Sequence, residues 1–192
     1  MSVLPNPPRR SGKLPRVVLC ESFDQRVVRA AHVLNQHKLA QVVLLGDYEE
    51  LERVAVGYRT DLAGIDVLNY EGEEIQTQIQ AQLAALGLTD RLDATDPVVA
   101  GAWLVRNGLA DAVVAGAATT PTHVMRVYLR LLGVAEGCQT VSGLSLVSFE
   151  NCEFVRSPVV GLADVSVVPE PSVAQLAGIA IQSAASYERM TG

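Results

Sequence analysis

Lysine is almost absent from this chain. Of its 192 residues only Lys13 and Lys38 are lysine, so contacts to anions fall to arginine and to backbone N–H groups. The net charge is −6 and the isoelectric point is near 5.0. With no sustained basic stripe, this excludes a general nucleic-acid binder. Aromatic residues make up 5% of a sequence that is 49% hydrophobic, with a mean hydropathy of +0.24. That balance describes an aliphatic α/β interior rather than an aromatic-rich β-sandwich. The three cysteines, Cys20, Cys138 and Cys152, are far apart and form no CxxC or Cys/His cluster. A disulfide scaffold and a structural zinc site are excluded, no metal site is expected, and the pattern fits a reducing cytoplasm. No apolar run reaches membrane-spanning length, and the basic, proline-rich start has no apolar core of a secretory signal. GxSxG, GxxxxGK[ST] and GxGxxG are also missing, which leaves nucleophile-elbow, P-loop and nicotinamide chemistry without support.

What is present alternates strand and helix patterns. After a loose tail over residues 1–14, Arg16-Val-Val-Leu-Cys20 reads as a buried strand. A helix follows to about Gln36, with Val27, Val28, Ala31 and Leu34 on its apolar face. Gln41 to Leu45 is a second strand, closed by Gly46-Asp47 before a helix over 48–56, and residues 65–69 give a third. Short connections in a β-α-β-α-β rhythm predict a mostly parallel sheet with helices on both faces. Residues 71–86 are helical, with Ile75, Ile79, Leu83 and Leu86 as the buried stripe. Asp96-Pro97 then caps and starts another helix, in which Trp103 is a packing residue. Val113, Val114 and Ala115 form a short strand, a turn of small residues runs over 116–119, and Thr120-Pro121 starts a helix carrying Arg126. Beyond residue 140 the character changes. Residues 140–149 and 154–163 read as strands around a polar turn at Glu150-Asn151, and 165–168 as a further candidate. Ser172 and Gln175 form a capping box before a helix with an apolar face of Val173, Leu176, Ala177, Ala180, Ile181 and Ala184. The expected organisation is a first α/β domain over 15–139 and the start of a second α/β domain over 140–192.

Two turns carry chemistry. The 116–120 turn offers backbone N–H groups and the hydroxyls of Thr119 and Thr120 at a helix start, a place suited to an anion, with Arg126 behind it. Alone, this is also the pattern of an ordinary βα turn. Glu21, Asp24 and Arg26 form a second, mixed-charge turn, which is equally explained by carboxylates favouring a helix dipole. In an open parallel sheet both turns lie at the carboxyl edge, where ligands bind.

Four segments in this order, RVVLCESFDQRVVRAA, QVVLLGDYEEL, LVRNGLADAVVAGAATTPTHVMR and QTVSG with LADVSVVPEPSVAQLAGIAIQSA, resemble the phosphate acetyl/butyryl transferases, the phosphotransacetylases. The likeness runs from about Pro15 to Ala185. It implies an isocitrate/isopropylmalate-dehydrogenase-like fold and transfer of an acyl group between phosphate and the thiol of coenzyme A, without a metal or a bound cofactor. Thr119, Thr120 and Arg126 match the family's phosphate- and coenzyme-A-facing positions, and Glu21, Asp24 and Arg26 match its first cleft-edge motif.

The chain departs from the family at Val127, where a proline is usual, and over 84–88, where a basic turn is replaced by uncharged residues; Arg91 and Arg106 are the candidates to compensate. The family's Ser-Arg pair and catalytic aspartate lie in a later segment that has no counterpart here. The resemblance therefore implies a phosphate acetyltransferase-like chain, cytoplasmic and of acetate metabolism, with little activity alone and either a homodimer or completed by a missing C-terminal region. A longer acyl donor stays open. The alternative is a non-catalytic phosphate- or coenzyme-A-binding module.

Overall fold

The computed structural model describes residues 13–149 and 158–192. The expected tail up to residue 12, the turn at Glu150-Asn151 and the strand start at Phe154 lie outside them. The contacts divide the chain into two compact units, one over Ser11–Gly133 and one over Val134–Gly192.

In the first unit, four parallel strands lie in the order β3-β2-β1-β4: β1 (Arg16–Leu19), β2 (Gln41–Leu45), β3 (Asp66–Leu68) and β4 (Ala112–Val114). Val18 pairs with Val43 on one side and Val113 on the other. The strands read as continuous apolar runs because both faces are covered. Val18, Cys20, Val43 and Leu45 point to one face, against α3 (Glu73–Ala85), α4 (Pro97–Arg106) and α5 (Pro121–Leu131). Leu19, Val42 and Leu44 point to the other, against α1 (Gln25–Gln36) and α2 (Tyr48–Gly57). Each fully buried Val or Leu stabilises the fold by roughly 1.5–3 kcal/mol.

Helix starts follow local chemistry. Asp24, Asp47, Asp96 and Thr120 cap α1, α2, α4 and α5, and proline opens the last two. In α3, Ile79 and Leu83 are buried as the pattern predicts, but Leu86 falls on the C-cap and is 38% exposed. Trp103 is buried on α4 among aliphatic neighbours.

The second unit is an antiparallel pair, β5 (Leu144–Ser148) with β6 (Val159–Ala163), and the 19-residue helix α6 (Val173–Thr191). Both hydrogen bonds of the Ser172–Gln175 capping box form. Tyr187 anchors the helix, its hydroxyl donating to Val159 O at 2.7 Å. Two expectations fail here. Residues 165–168 form no strand, because Asp164 takes the N–H groups of Val167 and Val168, along with that of Gly143, at 3.1, 2.5 and 2.6 Å. The apolar face read for α6 is turned outward, with Val173 88% and Ile181 71% exposed, while Ile179 is buried. The helix is apolar almost all round, so its sequence does not specify which side faces β6.

Gly101 lets α4 lie close on β1 and β4. A Cβ there would collide with Cys20 Sγ and stand 2.8 Å from Val113 Cγ2. Gly101→Ala is expected to destabilise the first unit by about 1–3 kcal/mol. The check is a lowered urea midpoint; an unchanged midpoint would show that α4 shifts without cost.

Candidate functional site

β1 and β4 are neighbours, so the segments leaving their carboxyl ends meet. Cys20 N–H still bonds Val114 O at 3.2 Å, and the next residue, Glu21, turns its side chain toward the loop after β4. There the backbone curls, with Gly116 at φ 110°, a conformation that side-chain-bearing residues rarely adopt. Four successive N–H groups then converge on one carboxylate. Gly116 and Ala117 donate to Glu21 Oε2, both at 2.7 Å, and Ala118 and Thr119 donate to Oε1 at 2.9 and 2.6 Å. Such a cup of N–H groups is an anion site by construction. The sequence predicts these groups to be free for a ligand; they are not, because the chain's own Glu21, 1% exposed, fills the cup. Burial raises the Glu21 pKa, but the hydrogen bonds from the Thr119 hydroxyl and the cup outweigh it and hold the carboxyl below its ordinary value.

Asp24 and Arg26 brace this arrangement. Asp24 caps α1 by accepting from Arg26 N at 2.8 Å, and it takes the Arg26 guanidinium at 3.0 Å (Nε to Oδ1) and 2.6 Å (Nη2 to Oδ2). Arg26 Nη2 also donates to Ala117 O. The side-chain bond from Arg26 leads the effects that hold the Asp24 carboxyl down to about 2. Ser22 Oγ donates to Leu45 O, fixing the same turn to the end of β2.

Of the six residues singled out by sequence, five come together here. Glu21, Asp24, Arg26 and Thr119 are joined by hydrogen bonds around the cup, and Thr120 caps α5 directly after it, accepting from His123 N at 3.4 Å. Arg126 is different. It is exposed on α5, and its side chain makes no hydrogen bond or ion pair with a described residue. Beside the cup lies a cleft of 310 Å³ walled by Leu19, Val27, Ala30 and Val114, with Glu21 and Arg26 in its lining. Of the compensating arginines, Arg91 lines an open groove of 690 Å³ with Thr89, Asp90 and Asp93. Arg106 is engaged with Leu131 O at the end of α5.

Sequence reasoning missed one pair. His123 Nε2 lies 2.5 Å from Asp96 Oδ2, joining the first turn of α5 to the cap of α4. The two residues are 27 positions apart, and only the D-P and T-P helix starts hint that both side chains sit at helix N-termini. Among the described residues no group of three or more His, Cys, Asp or Glu side chains is placed to hold a metal ion, and no helix is long and apolar enough to cross a membrane.

The family model for phosphate acetyl/butaryl transferase matches residues 8–192. The chain belongs to this family. A phosphate acetyltransferase of Acetivibrio thermocellus is 32% identical over 191 residues, covering 96% of this chain and 57% of the relative. That of Salmonella typhimurium is 33% identical over 186 residues, covering 93% of this chain and 25% of the relative. Among solved structures, a phosphotransacetylase from Streptococcus pyogenes superposes with a TM-score of 0.79 at 27% identity, covering 92% of this chain and 54% of that one. The EutD phosphotransacetylase of Staphylococcus aureus gives 0.78 at 25% identity, covering 93% and 54%. The chain thus spans about half the length of the Acetivibrio relative and of the two solved structures, and about a quarter of the Salmonella relative.

The cup yields a pH prediction. Glu21 and Asp24 both have lowered pKa values, from ordinary values of 4.5 and 3.8. Their stabilisation is complete above those values and is lost as pH falls through the lowered ones, about 2 for Asp24. Glu21→Gln presents an NH₂ to N–H donors and is expected to cost about 2–4 kcal/mol at neutral pH. It should also flatten the acid limb of the stability curve, read by denaturant unfolding from neutral pH down to about 2.5. An unchanged acid limb would show that Glu21 is not the group that titrates.

Proposed function

We propose that this chain carries one edge of a phosphate acyltransferase site that moves an acetyl group reversibly between phosphate and coenzyme A. In the forward sense of that chemistry, the thiolate of coenzyme A attacks the carbonyl carbon of acetyl phosphate. A C–S bond forms, the bond between the carbonyl carbon and the bridging phosphate oxygen breaks, and inorganic phosphate leaves with that oxygen and the electron pair. The protein must receive the thiol proton, donate to the developing oxyanion and hold the phosphate. The observation that carries the reading is Arg126, an exposed guanidinium without a partner among the described residues, on the helix that starts from the carboxyl edge of the sheet in a family member.

In this reading Arg126 contacts the phosphate. Glu21, Asp24, Arg26 and Thr119 hold the turn from which α5 starts, and Thr120 fixes its first turn. Coenzyme A is a substrate, not a bound cofactor, and no metal takes part. The remaining catalytic groups come from polypeptide that relatives carry beyond the matched half. The outward apolar face of α6 is covered in the working protein, by a second copy or by that further polypeptide, and the compartment is the cytoplasm. The alternative of a non-catalytic module has no support from the relatives named above, which are phosphate acetyltransferases.

With acetyl phosphate and coenzyme A, the 192-residue chain is expected to turn over far below the roughly 10 s⁻¹ typical of enzymes. It should nevertheless bind inorganic phosphate, and Arg126→Ala should weaken that binding about tenfold or more. Thiol disappearance and calorimetric titration measure the two. Enzyme-like turnover would overturn the division of the site, and unchanged phosphate affinity in Arg126→Ala would overturn the role of that residue.

A further inference from the structure

The two lysines of the chain stand at the end of the sheet opposite to the cup. Of 15 lysines and arginines only Lys13 and Lys38 are lysine. Both are exposed, and each precedes a strand by three residues, Lys13 before β1 at Arg16 and Lys38 before β2 at Gln41. β1 and β2 are parallel and pair from Arg16 and Gln41 onward, so the two lysines share the amino edge of the sheet. Lys38 follows α1, its N–H donating to Asn35 O at 3.0 Å, and the length of that helix, about 20 Å, separates it from the turn at Asp24. α1 also packs on the face of the sheet opposite to α5. At the carboxyl edge the cations are arginines: Arg26 in the first turn of α1, and Arg126 on the helix that starts from the cup. Other nucleophiles there are buried or engaged. Cys20 is buried, with its thiol pushed up chiefly by that burial, the Ser22 hydroxyl donates to Leu45 O, and His123 Nε2 meets Asp96.

We propose that the exclusion of amines from the carboxyl edge protects the chain against its own substrate: an acyl phosphate held there meets only arginine, and acylation of the protein falls on Lys13 and Lys38 at the far edge. This rests on the reading of Arg126 as a phosphate contact. A lysine amine in its neutral form is a nucleophile, whereas a guanidinium stays protonated. The side reaction needs nothing beyond the substrate. The amine nitrogen attacks the carbonyl carbon of acetyl phosphate and an N–C bond forms. The bond between that carbon and the bridging phosphate oxygen breaks, inorganic phosphate leaves with that oxygen and the electron pair, and the nitrogen gives a proton to solvent. The amide so formed carries no charge. One such event wastes the acyl group and also removes the cation that held the phosphate. Positioning makes it fast, because a bound carbonyl within reach of an amine reacts as if highly concentrated. Arginine holds the same anion through its fork of N–H groups and leaves the thiol of coenzyme A as the nucleophile.

The test is acetylation of the 192-residue chain by acetyl phosphate at about pH 8, where a small fraction of lysine is neutral, followed residue by residue by mass spectrometry. In the unaltered chain Lys13 and Lys38 are expected to react slowly, at a rate that rises linearly with acetyl phosphate and does not respond to inorganic phosphate. Arg126→Lys places an amine in the site. Its acetylation should saturate with acetyl phosphate, be slowed by inorganic phosphate, and run about tenfold or more faster than that of Lys38 in the same molecules. Arg59→Lys, at an exposed position beyond the end of α2, should react no faster than Lys38. Acetylation at position 126 no faster than at Lys38, in a chain whose unaltered form binds inorganic phosphate, overturns this inference and leaves the phosphate site standing. Saturable, phosphate-inhibited acetylation of Lys38 overturns it as well. Absence of phosphate binding by the unaltered chain overturns the phosphate site and this inference with it.

Discussion

One buried carboxylate organises the first unit. Glu21 accepts four backbone N–H groups from a loop 95 to 98 residues away. Hydrogen bonds to an ionised acceptor are stronger than neutral ones, and an unpaired buried charge is costly. The interaction is therefore close to obligatory in both directions: the loop needs the carboxylate, and the carboxylate needs the loop. Meeting that demand requires β1 and β4 to be adjacent and parallel, and requires their following helices to start within a few residues of the cup. The strand order, the Asp24–Arg26 brace and the start of α5 all serve this condition.

The placement of Arg126 follows from it. The N–H groups of the loop before α5 are taken by Glu21, so they are not open to an anion, and the side chain of Arg126 stands exposed on the helix that follows. The cup fixes where the helix begins, and the helix period then fixes where its side chains stand.

Much of this was legible in the residues. The D-P and T-P starts of α4 and α5, the capping box of α6 and the apolar runs of the parallel strands are local signals, and the structure follows them. The residues around the cup were also legible as a set, through their order in the chain. Their mutual geometry was not. Whether four N–H groups are free or filled depends on a side chain nearly a hundred positions away, and no local pattern encodes that pairing. The Asp96–His123 contact was hidden for the same reason. α6 was misread for a different one: apolar residues surround it on almost every side, so periodicity does not distinguish Ile179, which is buried, from Ile181, which is not.

The second unit repeats the device on a smaller scale, with Asp164 gathering the N–H groups of Gly143, Val167 and Val168. In both places the stretch of backbone that looks like a self-contained loop is only half of a part whose other half is encoded elsewhere. The 116–119 turn is therefore not portable. A chimera that exchanges it without a glutamate at the end of the neighbouring strand inherits four unsatisfied donors, and one that exchanges the opening strand alone inherits a stranded charge. A crossover between the two ends is tolerated only when it leaves a glutamate opposite that loop.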